Sequence, residues 1–223
     1  MSTDLDARLL DAALASIRSG KPFADVVGEV IGLAAAEMAS PVWDALAATD
    51  TAADVARAIP WLLRQFEERP VPDDLTSLWF GLYVVRSVSP GRLDAMVGLS
   101  GGPGLPEPDW TITRTWDAAG YAPAPGLRAL LALAATEEAD LRAVVAGPVV
   151  FAYSLGLVAA MLDGADAAQI HAGRAHLDVV VGVPEGATVV LGVLTPDGLD
   201  RSGLRRIEPA APAGEAGEAA PPA

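Results

Sequence analysis

The chain has 223 residues, 52% of them hydrophobic, with 29 acidic against 15 basic residues and a formal net charge of -14. That is enough chain and apolar content for one generous domain or two small ones with a real core. The charge disfavours nucleic acid and anionic membrane surfaces, whose affinity comes largely from basic residues displacing counterions, and the absence of cysteine excludes disulfides, thiolate metal sites and cysteine nucleophiles.

Residues 1–8 carry Asp4 and Asp6 and lead into an amphipathic pattern, with neither a basic n-region nor an apolar h-region, so no secretory signal is expected. Leu5, Leu9, Ala13 and Ile17 recur every fourth residue and Gly20 supplies a stop, which predicts a first helix. After Pro22 a second apolar stripe runs through Phe23, Val26, Val27, Val30 and Ile31. Ser40-Pro41 reads as a cap and first turn of a short helix through Trp43 and Leu46. Thr51 with Asp54 resembles a capping box, opening a longer helix lined by Val55, Ile59, Leu62 and Phe66, in which Pro60 should bend the axis or mark a break. Lys21 is the single lysine, a composition shaped by GC-rich codon usage and expected of a bacterial protein.

From Leu75 the period changes to two. Residues 75–87 read as one strand, Pro90-Gly91 as a turn, and Leu93, Ala95, Val97 and Leu99 as the alternate positions of a second. Trp110, Ile112, Arg114 and Trp116 alternate with threonines and read as a third, completing an antiparallel meander. Residues 125–135 and 136–146 look helical, with Gly147-Pro148 ending one helix and starting the next. Residues 177–183 and 188–194 are β-branched runs joined by Pro184-Glu185-Gly186-Ala187, a hairpin signal. Residues 208–223 form an Ala/Pro/Gly/Glu tail with too little apolar area to order itself. The expected fold is therefore α+β: one five-stranded antiparallel sheet with helices on one face, divided into a helical region 1–70, an α+β domain 71–207 and the tail 208–223. In element order alone this resembles secretion-chaperone-type and similar small α+β adaptor folds.

Residues 143–162 carry no charge and are long enough to span a bilayer. Gly147-Pro148 in the middle, acidic flanks and the lack of a basic cluster favour a buried segment instead, and no membrane contact is expected. Within it, Ala152-Tyr153-Ser154-Leu155-Gly156 approximates the G-x-S-x-G turn that presents a serine nucleophile. A hydrolase would also need an acid and a histidine on later loops. The only histidines are His171 and His176, and both precede the last two strands, so a buried helix with Ser154 bonded back to a carbonyl one turn earlier is the favoured reading. Gly98-Leu99-Ser100-Gly101-Gly102 fits G-x-S-x-G outright but is followed by prolines rather than a helix, so residues 100–109 read as a long inter-strand loop. His171 and His176 with Asp163 or Asp166 make a weak ligand set, and no metal or other cofactor is expected.

Of the five tryptophans, Trp110 and Trp116 share one strand face and Trp79 lies in the first strand of the same meander. Core filling accounts for most of them, with one or two left to line an interface. The favoured function is a non-catalytic, cytoplasmic protein-interaction module, an acidic adaptor of chaperone-like or immunity type. It would bind a partner protein, preferentially a basic one, through Trp79, Trp110, Trp116, Ser100 and Asp109. The alternatives are a small serine hydrolase or acyl-transfer enzyme using Ser154 with His171 or His176, and a carrier of apolar ligands.

Overall fold

In a computed structural model, residues 3–86, 93–105, 114–183 and 186–207 are described. Helix α1 (Thr3–Arg18) buries Leu5, Leu9, Ala13 and Ile17 on one stripe. It ends where Gly20 adopts φ +71°, so that Gly20 N–H bonds to Ile17 O and Lys21 N–H to Ser16 O. That doubly bonded exit is open to a residue without a Cβ. Helix α2 (Phe23–Glu37) follows directly, then α3 (Val42–Ala47) and α4 (Thr51–Glu68), which is assigned as a single helix with Pro60 inside it.

The capping box expected at Thr51 is not formed. Asp50 is the N-cap of α4, accepting from Ala53 N–H at 3.0 Å. Asp54 turns inward instead, accepting from Gly126 N–H (3.0 Å), Leu127 N–H (3.3 Å) and the Tyr153 hydroxyl (2.9 Å). This carboxylate is fully buried and sits on the first turn of α5 (Pro125–Ala134), where unpaired N–H groups and the helix dipole favour negative charge. Burial, and then the Asp54 charge, hold the Tyr153 phenol far above its ordinary value. The pair ties α4 and α5 to the central helix through bonds that leave little of the carboxylate unsatisfied.

That central helix is the segment the sequence offered as a membrane span. Helical structure is continuous from α6 (Ala139–Val144) through a π turn (Val145–Val149) into α7 (Val150–Gly164), which corrects the break expected at Gly147-Pro148. A proline has no N–H to give and its ring crowds the carbonyl four residues back. The wider π turn relieves both demands without ending the helix. Ala139–Gly164 is apolar and long enough to cross a membrane, yet 78% of its most apolar window is buried inside the fold. It packs between the sheet and helices α1, α2 and α4.

The sheet has seven strands among the described residues, in the order β3-β2-β1-β4-β5-β6, with β7 also on β5. Strands β1 (Ser77–Arg86), β2 (Leu93–Gly102) and β3 (Trp116–Ala122) pair antiparallel in succession. Helix α8 (Ala167–His171) precedes β4 (Asp178–Gly182), which runs parallel to β1 and antiparallel to β5 (Thr188–Thr195). Short β6 (Gly198–Asp200) and β7 (Arg205–Ile207) share the outer side of β5.

Three expectations are corrected here. The sheet is mixed, because the C-terminal hairpin joins β1 through a helical crossover, and parallel neighbours need such a connection. Strands β6 and β7 have three residues each, too few for an alternation to register. The third strand begins at Trp116 rather than ending there; its sequence Trp-Asp-Ala-Ala-Gly-Tyr-Ala has little strand propensity and is held by its pairing with β2. Trp110 to Thr113 lie outside the described residues.

Leu78, Phe80 and Leu82 of β1 point to the helices and share one apolar cluster with them, a cluster reaching from Leu5 to Leu204 across both expected regions. Trp79 points the other way and packs with Val180, Val190 and Ile207, all of them sheet residues.

Candidate interaction surface

Ser154 lies inside α7, fully buried, and its hydroxyl donates to Val150 O at 2.9 Å. Where a nucleophile elbow needs strand, turn and helix, Ser154 sits within uninterrupted helix. His171 closes α8 and is buried, its carbonyl taken by Arg174 N–H. His176 is exposed and pairs with Asp178 at 3.0 Å. No hydrogen bond joins Ser154 to either histidine. Among the described residues, no group of three His, Asp or Glu side chains is placed to hold a metal ion.

Ser100 is in strand β2, not in a loop, because the ladder with β1 continues to Gly102. It faces Trp79 on one side and Asp117 on the other. Trp79 itself is 1% exposed, and its indole N–H is given to Ser77 Oγ, which in turn donates to Gly104 O. Trp116 lies on the opposite face, buried against Phe66 of α4 with ring centroids 5.4 Å apart. The two tryptophans are therefore separated by the thickness of the sheet. Trp110 and Asp109 fall outside the described residues.

What the face without helices among the described residues presents instead is a tyrosine pair over a glycine floor. Cross-strand register puts Tyr121, Gly98, Gly81 and Gly182 in one row over β3, β2, β1 and β4. The Tyr83 ring lies over this row: a Cβ on Gly81 would stand 2.9 Å from Tyr83 Cε2, and one on Gly98 3.1 Å from the same atom. An aromatic laid over strand glycines restores the packing that those glycines lack. Tyr121 meets Tyr83 edge to face at 5.9 Å and is 48% exposed. Beside them a cavity of about 190 Å³ is lined by Arg114, Asp117 and Ser100 as well as both rings. Arg114 and Asp117 pair at 3.1 Å. Burial raises the Tyr83 phenol above its ordinary value; Arg114 pulls it down, while Tyr121 and Asp117 push it up. The Tyr83 phenol thus enters any contact near neutral pH as a hydrogen-bond donor.

Farther along β1, Val84 and Val85 point to opposite faces, as consecutive strand residues must, and both are exposed. The end of β1 therefore projects beyond the helical layer. Of the two valines, Val85 shares the face of Tyr83 and Tyr121, with Asp94 directly across from it on β2 and Asp117 on β3. Sequence reasoning favoured the tryptophans and passed over Tyr83 and Tyr121. The signal available was Gly81 and Gly98 at matching positions of a hairpin, each of which invites an aromatic neighbour.

Among the described residues strand β3 is an edge, but its backbone is not free. Helix α4 reaches across it: Gln65 Oε1 accepts from Ala119 N–H at 2.7 Å, Trp61 Nε1 donates to Ala119 O at 3.3 Å and Arg69 Nη1 donates to Asp117 O at 2.8 Å. An edge dressed in this way cannot take another strand, so contact with a partner falls to side chains on the face.

No protein-family profile matches the chain, and neither a curated protein nor a solved structure shows significant similarity to it.

Proposed function

We propose that the protein is a non-catalytic interaction module, an acidic bacterial adaptor of chaperone-like or immunity type. It acts in the cytoplasm and docks a basic partner protein on the sheet face that carries Tyr83 and Tyr121. The observation that carries this reading is the exposed Tyr121 and half-buried Tyr83 beside exposed Val85, on a rigid sheet and next to Asp94 and Asp117. Rigid aromatics ringed by polar groups are the composition of energetic centres at interfaces. The net charge of -14 supplies long-range attraction for a cationic surface. The serine-hydrolase alternative loses its support with Ser154 bonded inside α7.

The test is capture from a bacterial lysate by immobilised wild type and by the double variant Tyr121→Ser/Val85→Ser, each at low and at high salt. The reading requires a basic protein held by wild type, released by salt, and weakened by roughly tenfold or more in the variant. Retention that ignores both salt and the substitutions would overturn it, as would the absence of any retained protein.

A further inference from the structure

A second surface feature, remote from the tyrosine patch, has the make-up of a small-molecule site. Along one side of α7 the residues at 156, 159, 160, 163 and 164 are Gly, Ala, Ala, Asp and Gly, which fall on a single helical face. Side chains this small leave a gap where α7 passes the α1–α2 turn. At its inner end the Phe23 ring presses on Gly156, where a Cβ would stand 2.6 Å from Phe23 Cδ2. Outward from there the gap opens into a cleft of about 360 Å³ walled by Ile17, Val26, Ala159 and Ala160, within the size range of about 300–1,000 Å³ common to ligand pockets.

The rim is as polar as the floor is apolar. Lys21 and Arg201 both line the cleft. Lys21 pairs with Glu29, and Arg201 grips Asp163 with contacts of 2.6 and 2.5 Å. Lys21 and Glu29 are 42% and 41% exposed, and exposed pairs contribute only about 0–1 kcal/mol, so an incoming anion can exchange with Glu29 at Lys21, while Arg201, 19% exposed, stays fixed at the cleft by Asp163. Arg201 Nε is buried with no hydrogen-bond partner. The first turn of α2 also borders the cleft, and its N-cap, Pro22, offers no side-chain acceptor. Lys21, Arg201 and Asp163 line the cleft, so its rim carries two cations and one carboxylate, a net charge of +1, and Glu29 meets Lys21 without lining the cleft. A monoanion balances that charge, whereas a dianion such as a phosphate monoester would leave an excess negative charge on the rim.

We propose that this cleft binds a small amphiphile with a carboxylate head and a short unbranched acyl tail, the head between Lys21 and Arg201 and the tail along Ala159 and Ala160. It gives the protein a ligand-binding activity independent of partner docking.

The test is calorimetric titration and thermal denaturation of the full chain with octanoate, alongside acetate (the head alone) and octylammonium (the same tail, opposite head). Octanoate should bind saturably and raise the melting temperature, with the two controls at least roughly tenfold weaker. Ala160→Trp fills the cleft and should abolish binding. Lys21→Gln/Arg201→Gln keeps the apolar floor and should weaken octanoate by about tenfold or more while narrowing its advantage over octylammonium. If circular dichroism shows Ala160→Trp unfolded, the double variant alone decides. No saturable octanoate binding would overturn the proposal, as would octylammonium binding equally well or affinity unchanged in the rim variant. None of these measurements involves a partner protein or the tyrosine patch, so they stand or fall separately from the docking function.

Discussion

The two faces of strand β1 solve the same problem differently. On one face Leu78, Phe80 and Leu82 fill the space under the helices and are essentially unexposed. On the other, glycines lie under a tyrosine laid flat, and Trp79 is sealed in. The covered face is specified by volume, since close packing punishes any change in size. The open face is specified by two rings resting on backbone, an arrangement that tolerates change and leaves polar tips for a partner. Stability and the proposed recognition are thus separated by a single peptide thickness.

The sharpest way to break this comparison is on the covered side. Asp54→Ala leaves two buried N–H groups and the Tyr153 hydroxyl without an acceptor, and should cost about 3–5 kcal/mol in urea unfolding. A loss below about 1 kcal/mol would mean that the covered side is not over-determined. The same hub predicts alkaline sensitivity. The Tyr153 phenol is raised in the folded state, so stability is intact below the ordinary phenol value of about 10 and lost as pH climbs from there toward the folded value, at up to about 1.4 kcal/mol per pH unit. Tyr153→Phe should flatten that alkaline limb. Gln65→Ala uncaps the exposed Ala119 N–H at the strand edge and should cost about 0.5–1.5 kcal/mol by the same unfolding measurement.

On the open face the effects should shrink. Gly81→Ala asks only the far end of the Tyr83 side chain to move, and about 1 kcal/mol is expected, with faster solvent quenching of tyrosine fluorescence. Tyr121→Ser should change stability by no more than about 0.5 kcal/mol while weakening partner capture. A large loss of stability at Tyr121 would place that residue in the core and remove the distinction between the faces.

What could be read from the sequence follows the same division. The stripes of α1, α2 and α4, the β1–β2 pairing and the β4–β5 pairing were visible because apolar periodicity reports burial directly. Strand β3 was displaced because Thr-rich alternation around Trp110 carries more strand propensity than the Ala, Gly and Asp at 116–122, whose strand character comes from β2. The parallel β1–β4 pair left no local trace, since nothing in either strand reveals its neighbour. At the candidate sites, Ser154 read correctly as a back-bonded helical serine. Asp54 was taken for a local cap although its donors lie 72, 73 and 99 residues away. The tyrosine patch and the cleft along α7 both depend on small residues that leave room, and absence of volume has no period.

The dressing of β3 by α4 also bears on how the chain is made. During vectorial synthesis α4 leaves the ribosome about fifty residues before β3, as the separations of 48, 54 and 58 residues between bonded partners show. When the edge strand emerges, the side chains that occupy its outward N–H and C=O groups are already waiting on a finished helix. The interval in which a nascent sheet could recruit a neighbouring polypeptide through that ladder is correspondingly short. A transposition of the gene segments that moved α4 behind β3 would leave the native bonds available yet lengthen that interval, and would be expected to lower soluble yield before it lowered equilibrium stability.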